Sequence, residues 1–428
     1  MFKKIIRKLL ESRVKKYFAK HKVLLVVVTG SVGKTSTKEA IATVLAEKYR
    51  VRAHDGNHNT HFSVPTAIMG VAYPENPRSI GQWLRVFRAI NLRITEEPDV
   101  DVIVQELGTD APGDIAQFGA YLHPDIAVVT AVSEEHMEYF ETLDSVAREE
   151  LSVAAFSKLT VVNRDDIDSK YAPMADTSMI DTYGLVEPAE YRLNIQAASP
   201  LDGRIGQLIS PEWGELPVNL QLIGDHSLKA AVGAACVGAK MGLTSQEIAV
   251  GVSKIKPVSG RMQLLRGVNG STIIDDSYNA SPLAVSAALT TLYQIDTPQR
   301  IAILGSMNEL GITSPQAHER IGMLCDPTKL DWLIIIGEEA TRYLLPVAQK
   351  KGCQVKSFTS PYDAGAFAHK VIKKGAVVLV KGSQNRVFAE EAIKEILHST
   401  DDEEKLVRQS PEWLATKSSQ FEKTVAED

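Results

Sequence analysis

Cysteine is scarce. The 428 residues hold three, Cys236, Cys325 and Cys353, far apart and without a C-x-x-C pair. That argues against a zinc ribbon and for a reducing cytoplasm. Long apolar runs are missing too. Even residues 23–28, apolar throughout, are far too short to cross a membrane. The basic N-terminus is not followed by a long apolar region or a small-residue cleavage site, so it does not read as a secretory leader. Excess positive charge is absent. The net charge is −6, so no global field for nucleic acid is expected. No internal repeat is found. What remains is a chain of ordinary composition, 44% apolar and 23% charged, long enough for two or three domains.

What is present centres on residues 23–37, V-L-L-V-V-V-T-G-S-V-G-K-T-S-T. An unbroken apolar run predicts a strand covered on both faces. Gly30 and Gly33 bend the backbone so that its N–H groups converge. Lys34 adds a mobile positive charge, and Thr35 a hydroxyl at a helix start. Thr29, Gly30, Ser31, Val32, Gly33, Lys34, Thr35 and Ser36 thus form a phosphate cradle, with Thr35 free to ligate magnesium. A plain glycine turn is the weaker alternative. The general P-loop spacing needs glycine at 28, where this chain has Val28.

Residues 1–22 set Phe2, Ile5, Ile6, Leu9, Leu10, Val14, Tyr17 and Phe18 at helical spacing, among many lysines and arginines and one acid, Glu11. Such a basic amphipathic helix lies on an anionic membrane or packs its apolar face on the next domain; both stay open. In the polar loop at 56–65, Asn57, Asn59 and Thr60 are turn formers or substrate contacts. A strand over 100–107 carries Glu106 at its carboxyl end, where a magnesium-organising acid belongs. A strand over 126–132 ends before Ser133-Glu134-Glu135-His136, with His136 on the ligand-binding side of an α/β sheet. Residues 163–166, N-R-D-D, have guanine-recognition spacing but are also ordinary turn formers. Between 181 and 222, short alternating segments predict a small antiparallel sheet. Strands at 301–304, 332–336, 354–358 and 377–380 alternate with helices and end in Lys381-Gly382-Ser383. The expected fold is α/β: a central P-loop domain with a mostly parallel sheet plus a small antiparallel one, then a Rossmann-like C-terminal domain. The expected divisions are 1–22, 23–298, 299–400 and a charged tail, 401–428, that is mobile or peripheral.

Together, residues 29–37, residues 57–65, Glu106-Leu107-Gly108, the His136 region and residues 275–282, D-D-S-Y-N-A-S-P, resemble the Mur ligase family, ATP-dependent amide ligases of peptidoglycan precursor synthesis. Gly260-Arg261, residues 305–311 and residues 380–383 match as well. The 275–282 segment points to the type that adds D-alanyl-D-alanine. The resemblance implies ATP and Mg2+, a small muropeptide-like carboxylate, and an amino acid or dipeptide as amine, in a cytoplasmic monomer. An acyl phosphate forms on the carboxylate, and the amine displaces phosphate. The resemblance also implies roles. Lys34 holds the β- and γ-phosphates, Thr35 and Glu106 one magnesium, and His136 a second. Arg261 and Lys381 reach the phosphates, Lys381 on closure of the C-terminal domain. Asn279 lies near the nucleotide, and Asn57, Asn59 and Thr60 line the acceptor side. An N-x-D-D-like turn recurs in the family without guanine binding.

The chain also departs from the family. Only 22 residues precede the cradle strand, so the UDP-sugar-gripping domain is expected to be absent. Residues 1–22 would then give peripheral contact with the inner membrane face and a lipid-linked acceptor. Glu150 stands where many members carry a carbamylated lysine; it either holds the second magnesium or is a solvent-facing helix acid. His226-Ser227 replaces the family's H-N near adenine, and Ser306 replaces an Asp. The rival functions are a Mur-type ligase acting on a lipid-linked or non-peptidoglycan acceptor, and a P-loop ATPase without ligation.

Overall fold

The apolar run ahead of the cradle becomes β1 (Leu24–Thr29), buried at every position after Leu24. The computed structural model describes residues 2–421, apart from Asn57, residues 176–178, Pro200 and Asp202. Strand β1 sits inside a six-stranded parallel sheet in the order β2 (Val51–Ala53), β3 (Val102–Glu106), β1, β4 (Ile126–Val129), β5 (Leu159–Asn163), β6 (Met179–Tyr183). Strand order reverses beside β1, which opens a crevice at the carboxyl ends of the strands. The register sets Val28 opposite Glu106 and Thr29 opposite Val129. The cradle, Glu106 and the loop to His136 therefore emerge along one edge.

Alternation along β1 feeds two cores. Val26 and Val28 pack with α2 (Lys34–Leu45) and the helix Asp225–Lys240. Leu25 and Val27 pack on the other side with α1 (Phe2–Lys20), α3 (Ser63–Ile68) and α4 (Ile80–Thr95). The apolar stripe of α1, Ile6, Leu10, Val14 and Tyr17, is buried there. Strands β7 (Arg192–Ser199), β8 (Gly203–Ser210) and β9 (Gly214–Leu220) make a separate antiparallel sheet.

The second large sheet runs β10 (Gln263–Arg266), β11 (Thr272–Asp276), β15 (Val377–Lys381), β12 (Arg300–Gly305), β13 (Trp332–Ile336), β14 (Val355–Phe358). Only β10–β11 is antiparallel. Two expectations change here. Strand β11 pairs with β15, so residues 263–298 belong to the second sheet, and the boundary drawn at 298/299 moves to near residue 260. A strand's pattern identifies the strand but not its partner. The described part of the tail, residues 401–421, is also packed on the rest of the chain. After a 3-10 turn at Thr400–Lys405, the helix Pro411–Phe421 docks with Lys417 0% exposed. Asp402, Lys405, Arg408 and Lys417 have charge partners that composition could not reveal.

Candidate active site

The cradle takes its shape from its glycines. Gly30 has φ 125° and Gly33 φ 84°, the left-handed region that side chains disfavour. A Cβ on Gly30 would meet Thr130 Oγ1 at 2.2 Å and Ala131 N at 2.8 Å. That closeness is used: Thr130 Oγ1 donates to the Thr29 and Val32 carbonyls at 3.0 and 2.6 Å. Ser31 N–H donates to the Ala131 carbonyl at 3.0 Å, and Ser31 Oγ accepts from Ser133 N–H at 2.9 Å. The loop is thereby pinned to the end of β4.

Glu150 braces the same loop from below. Its Oε2 accepts from the Thr29 hydroxyl and, at 2.8 Å, from Gly30 N–H. It is buried, so it is not a solvent-facing helix acid, and it does not line the cavity in front of the cradle. Desolvation raises its pKa against the pull of Lys34. Lys34 lies above, donating to the Gly30 carbonyl at 2.5 Å and to Glu135 at 3.2 Å. Burial opposes its charge, but Glu135, Glu150 and Glu106 outweigh burial and raise its pKa.

Thr35 Oγ1 donates to Glu106 Oε2 at 2.8 Å, while Asn59 Nδ2 holds Glu106 Oε1 at 3.0 Å. Arg261, from the far side of the crevice, donates to Thr35 Oγ1 at 3.1 Å. His136 occupies a left-handed position, φ 47°, and its Nδ1 meets Glu309 of the second sheet's loops at 3.1 Å. Glu135 and Glu309 overcome desolvation and lift the imidazole pKa to about 10. Ion pairing to Glu135 and Glu309 favours the charged ring; ligation through Nε2 would need the neutral ring and would displace Glu135, with Glu309 still accepting from Nδ1–H. Lys381 donates to Asp276 at 2.6 Å and to the Asn279 carbonyl at 2.9 Å.

These groups line one cavity of about 620 Å³: Ser31, Val32, Gly33, Lys34, Thr35, Ser36, Asn59, Thr60, Glu106, His136, Arg261, Asn279 and Lys381. Thr29 and Gly30 form the floor with Glu150. Thr60 also shares its hydroxyl with Ser63 in the turn before α3, at 2.9 Å. Asn57 lies outside the described residues. Also lining this cavity, His226 has a buried Nδ1 without a partner, and Lys229 holds both oxygens of Asp166 at 2.8 Å. Ser306 faces away from the cavity and accepts from Ala340 N–H at 3.1 Å.

Among the described residues no three His, Cys, Asp or Glu side chains converge as a ready-made metal site. The donor set nonetheless fits magnesium, which takes one or two protein oxygens and completes its shell with phosphate and water. Thr35 and Glu106 supply such oxygens, and Glu135 Oε2 is buried without a partner.

Sequence patterns missed four contributors: Glu135, Glu309, Tyr278 and Arg408. The Arg261 guanidinium stacks on the Tyr278 ring, 4.2 Å from its centroid. Arg408, from the tail, sits 5.5 Å from that ring and donates to the Ser277 and Tyr278 carbonyls at 2.9 Å. The tail thus positions the tyrosine that positions Arg261. Tyr278 had a signal, its place in D-D-S-Y-N; Arg408 had none.

Two family models match the chain: the Mur ligase middle domain over residues 28–238 and the Mur ligase, glutamate ligase domain over residues 260–384. UDP-N-acetylmuramoyl-tripeptide–D-alanyl-D-alanine ligase of Bacillus subtilis (strain 168) is 27% identical over 393 residues, spanning 91% of this chain and 79% of that one. The protein of the same name from Escherichia coli (strain K12) is 27% identical, spanning 74% and 65%. The solved structure of MurF ligase from Thermotoga maritima in complex with ADP superposes with a TM-score of 0.73 at 23% identity, covering 98% of this chain and 84% of that one. Its likeness is one of fold. The two family models flank the crevice in which cradle, Glu106, Arg261 and Lys381 meet, and the chain belongs to the Mur ligase family.

Proposed function

We propose that the chain joins the free carboxylate of a muramoyl-peptide to the amine of a D-alanyl-D-alanine dipeptide, with ATP as phosphoryl donor. One observation carries this: Arg261, borne by the second sheet's unit, reaches Thr35 of the cradle at 3.1 Å. The phosphate site is thus built from two units. A split site suits a ligase, whose activated intermediate must be made only when the crevice is closed to water.

In this scheme a carboxylate oxygen attacks the γ-phosphorus and ADP leaves. The amine then attacks the acyl carbon, and inorganic phosphate leaves with the bonding pair. Phosphoryl transfer needs positioning and charge neutralisation more than covalent help. Lys34 and the cradle N–H groups hold the phosphates, and Arg261 and Lys381 neutralise charge from the opposite wall. Thr35 and Glu106 would hold magnesium, which when bound neutralises phosphate charge. Asn59 orients Glu106, and with Thr60 it lines the acceptor edge. Glu150, beneath the floor, supports the loop. We further propose a monomer working on the inner side of the membrane, with residues 1–22 in peripheral contact with it.

The test is phosphate release across UDP-linked and lipid-linked muropeptides, with D-alanyl-D-alanine and single amino acids as amines. Release that requires both carboxylate and amine supports the proposal. Hydrolysis independent of either favours a bare ATPase. Activity confined to lipid-linked acceptors replaces the UDP-linked substrate with the lipid-linked one.

A further inference from the structure

Helix α1 does not use up its amphipathic character by packing. Beside its buried stripe, a second stripe faces outward, with Ile5 51% exposed, followed by Leu9 and, one helical turn apart, Arg13, Lys16 and Lys20. Helix α4 lies against α1 and repeats the pattern, with Leu84 66% and Leu92 51% exposed. Leu9 and Arg13 of α1 meet Leu84, Phe87, Arg88 and Leu92 of α4 along one shallow groove. The two helices carry eleven basic residues and one acid, in a chain whose net charge is −6. Among the described residues, the exposed Lys3, Lys8, Lys15, Lys16, Arg85 and Arg88 have no carboxylate partner.

We propose that the paired outer faces of α1 and α4 dock on an anionic phospholipid surface, with Leu9, Leu84 and Leu92 entering the headgroup boundary and the surrounding bases meeting lipid phosphates. The sign and pattern of the charge choose this occupant. Isolated leucines among unpaired bases suit a negatively charged interface with an apolar layer beneath it. The face also has a location. Helix α1 packs on α3, which directly follows the Asn59-Thr60-His61 edge of the cavity. Arg7 is close enough to His61 to add to the lowering of its pKa by burial. Docking would therefore hold the acceptor mouth near the bilayer. That consequence rests on the ligase proposal; the docking itself does not.

The experiment is sedimentation of the full chain with vesicles of phosphatidylcholine alone, or with about one third phosphatidylglycerol. Binding is expected only to the anionic vesicles, and about 0.5 M NaCl should abolish most of it. Each base near such a surface contributes roughly fivefold in partitioning, so Lys8→Glu, Lys16→Glu, Arg85→Glu and Arg88→Glu together should lower it by at least ~100-fold. Leu84→Glu with Leu92→Glu should weaken it by roughly tenfold or more. These positions are exposed, and unchanged thermal midpoints and nucleotide binding would show that the variants fold. Equal pelleting of wild type and charge variants overturns the proposal, as does no pelleting. So does lipid-free dimerisation that Leu84→Glu reverses, because the face would then be a self-interface. No substrate enters the assay, so its outcome is independent of whether ligation is observed.

Discussion

Among the described residues, the buried charges around the cradle and those under the C-terminal helix differ in kind. Around the cradle, Glu106, Glu135 and Glu150 share the field of Lys34, and Glu135 also faces His136. Under the C-terminal helix, Glu390 and Glu391 meet three cations: Arg408 at 2.6 Å, Lys417 at 2.9 and 2.5 Å, and Lys394 at 2.9 Å. Both clusters bear the cost of desolvation. Only the second is closed. Burial pushes the Glu391 carboxyl up, but Lys417 and Lys394 prevail and its pKa ends lowered. At Glu150 burial prevails, and in the cavity above the loop Glu135 Oε2 and Arg261 Nε have no hydrogen-bond partners. The closed cluster fixes the tail. The open one leaves Glu135 Oε2 and Arg261 Nε without partners, which suits the proposed arrival of charge with substrate.

The largest expected effect falls on the closed cluster. Lys417→Met leaves two buried carboxylates short of a cation and should destabilise the chain by about 3–5 kcal/mol, read by urea denaturation. Variant still folded at low temperature should keep most of its turnover. A large loss of turnover with an unchanged urea midpoint would mean that the tail is machinery and not a fastening.

Arg261→Met is the counterpart in the open cluster. Arg261 binds Thr35 and stacks on Tyr278 but has no carboxylate partner among the described ion pairs, so its removal strands no charge. Turnover should fall ~10²–10³-fold, the usual cost of losing one preorganised donor to developing charge, with the urea midpoint nearly unchanged. Tyr278→Leu sits between the clusters, since its ring lies against both Arg261 and Arg408. Loss of that ring should raise KM for ATP roughly 2- to 10-fold, with a smaller change in kcat. A kcat loss as deep as that of Arg261→Met would give the tyrosine a more direct part.

The open cluster was more legible than the closed one, for a physical reason. Cradle, Glu106 and His136 each end a locally recognisable strand, and such ends in a parallel sheet converge on one edge. The sequence also marked Glu150 as a special position. It could not say that the carboxylate would turn beneath the loop to accept from Gly30. The closed cluster needs Arg408 to find the Tyr278 carbonyl 130 positions away, and no local pattern carries that information. The same limit moved β10 and β11 to the other sheet. The outcome for α1 was only half readable: periodicity gave its buried stripe, while its outward stripe gained meaning from its neighbour α4.

Glu150→Gln gives a smaller effect with the more diagnostic sign. Its folded pKa is raised, so the folded state favours the protonated acid. That contribution is complete below the unfolded carboxyl value and is lost as pH rises through the folded one. Glutamine keeps an oxygen to accept from Gly30 N–H but removes the charge. At pH 8 the variant should therefore be more stable than wild type, by something of order 1 kcal/mol, while turnover falls because the loop and Lys34 lose their anionic support. Glu391, with its lowered pKa, has the opposite linkage: its contribution is present above the ordinary carboxyl range and lost as pH falls through the folded value. Glu391→Gln should destabilise at pH 8 and flatten the acid limb of the stability profile. Thermal denaturation of the two variants from pH 4 to pH 9 compares them directly. Two changes of the same sign at pH 8 would mean that open and closed do not describe how these clusters hold their charge.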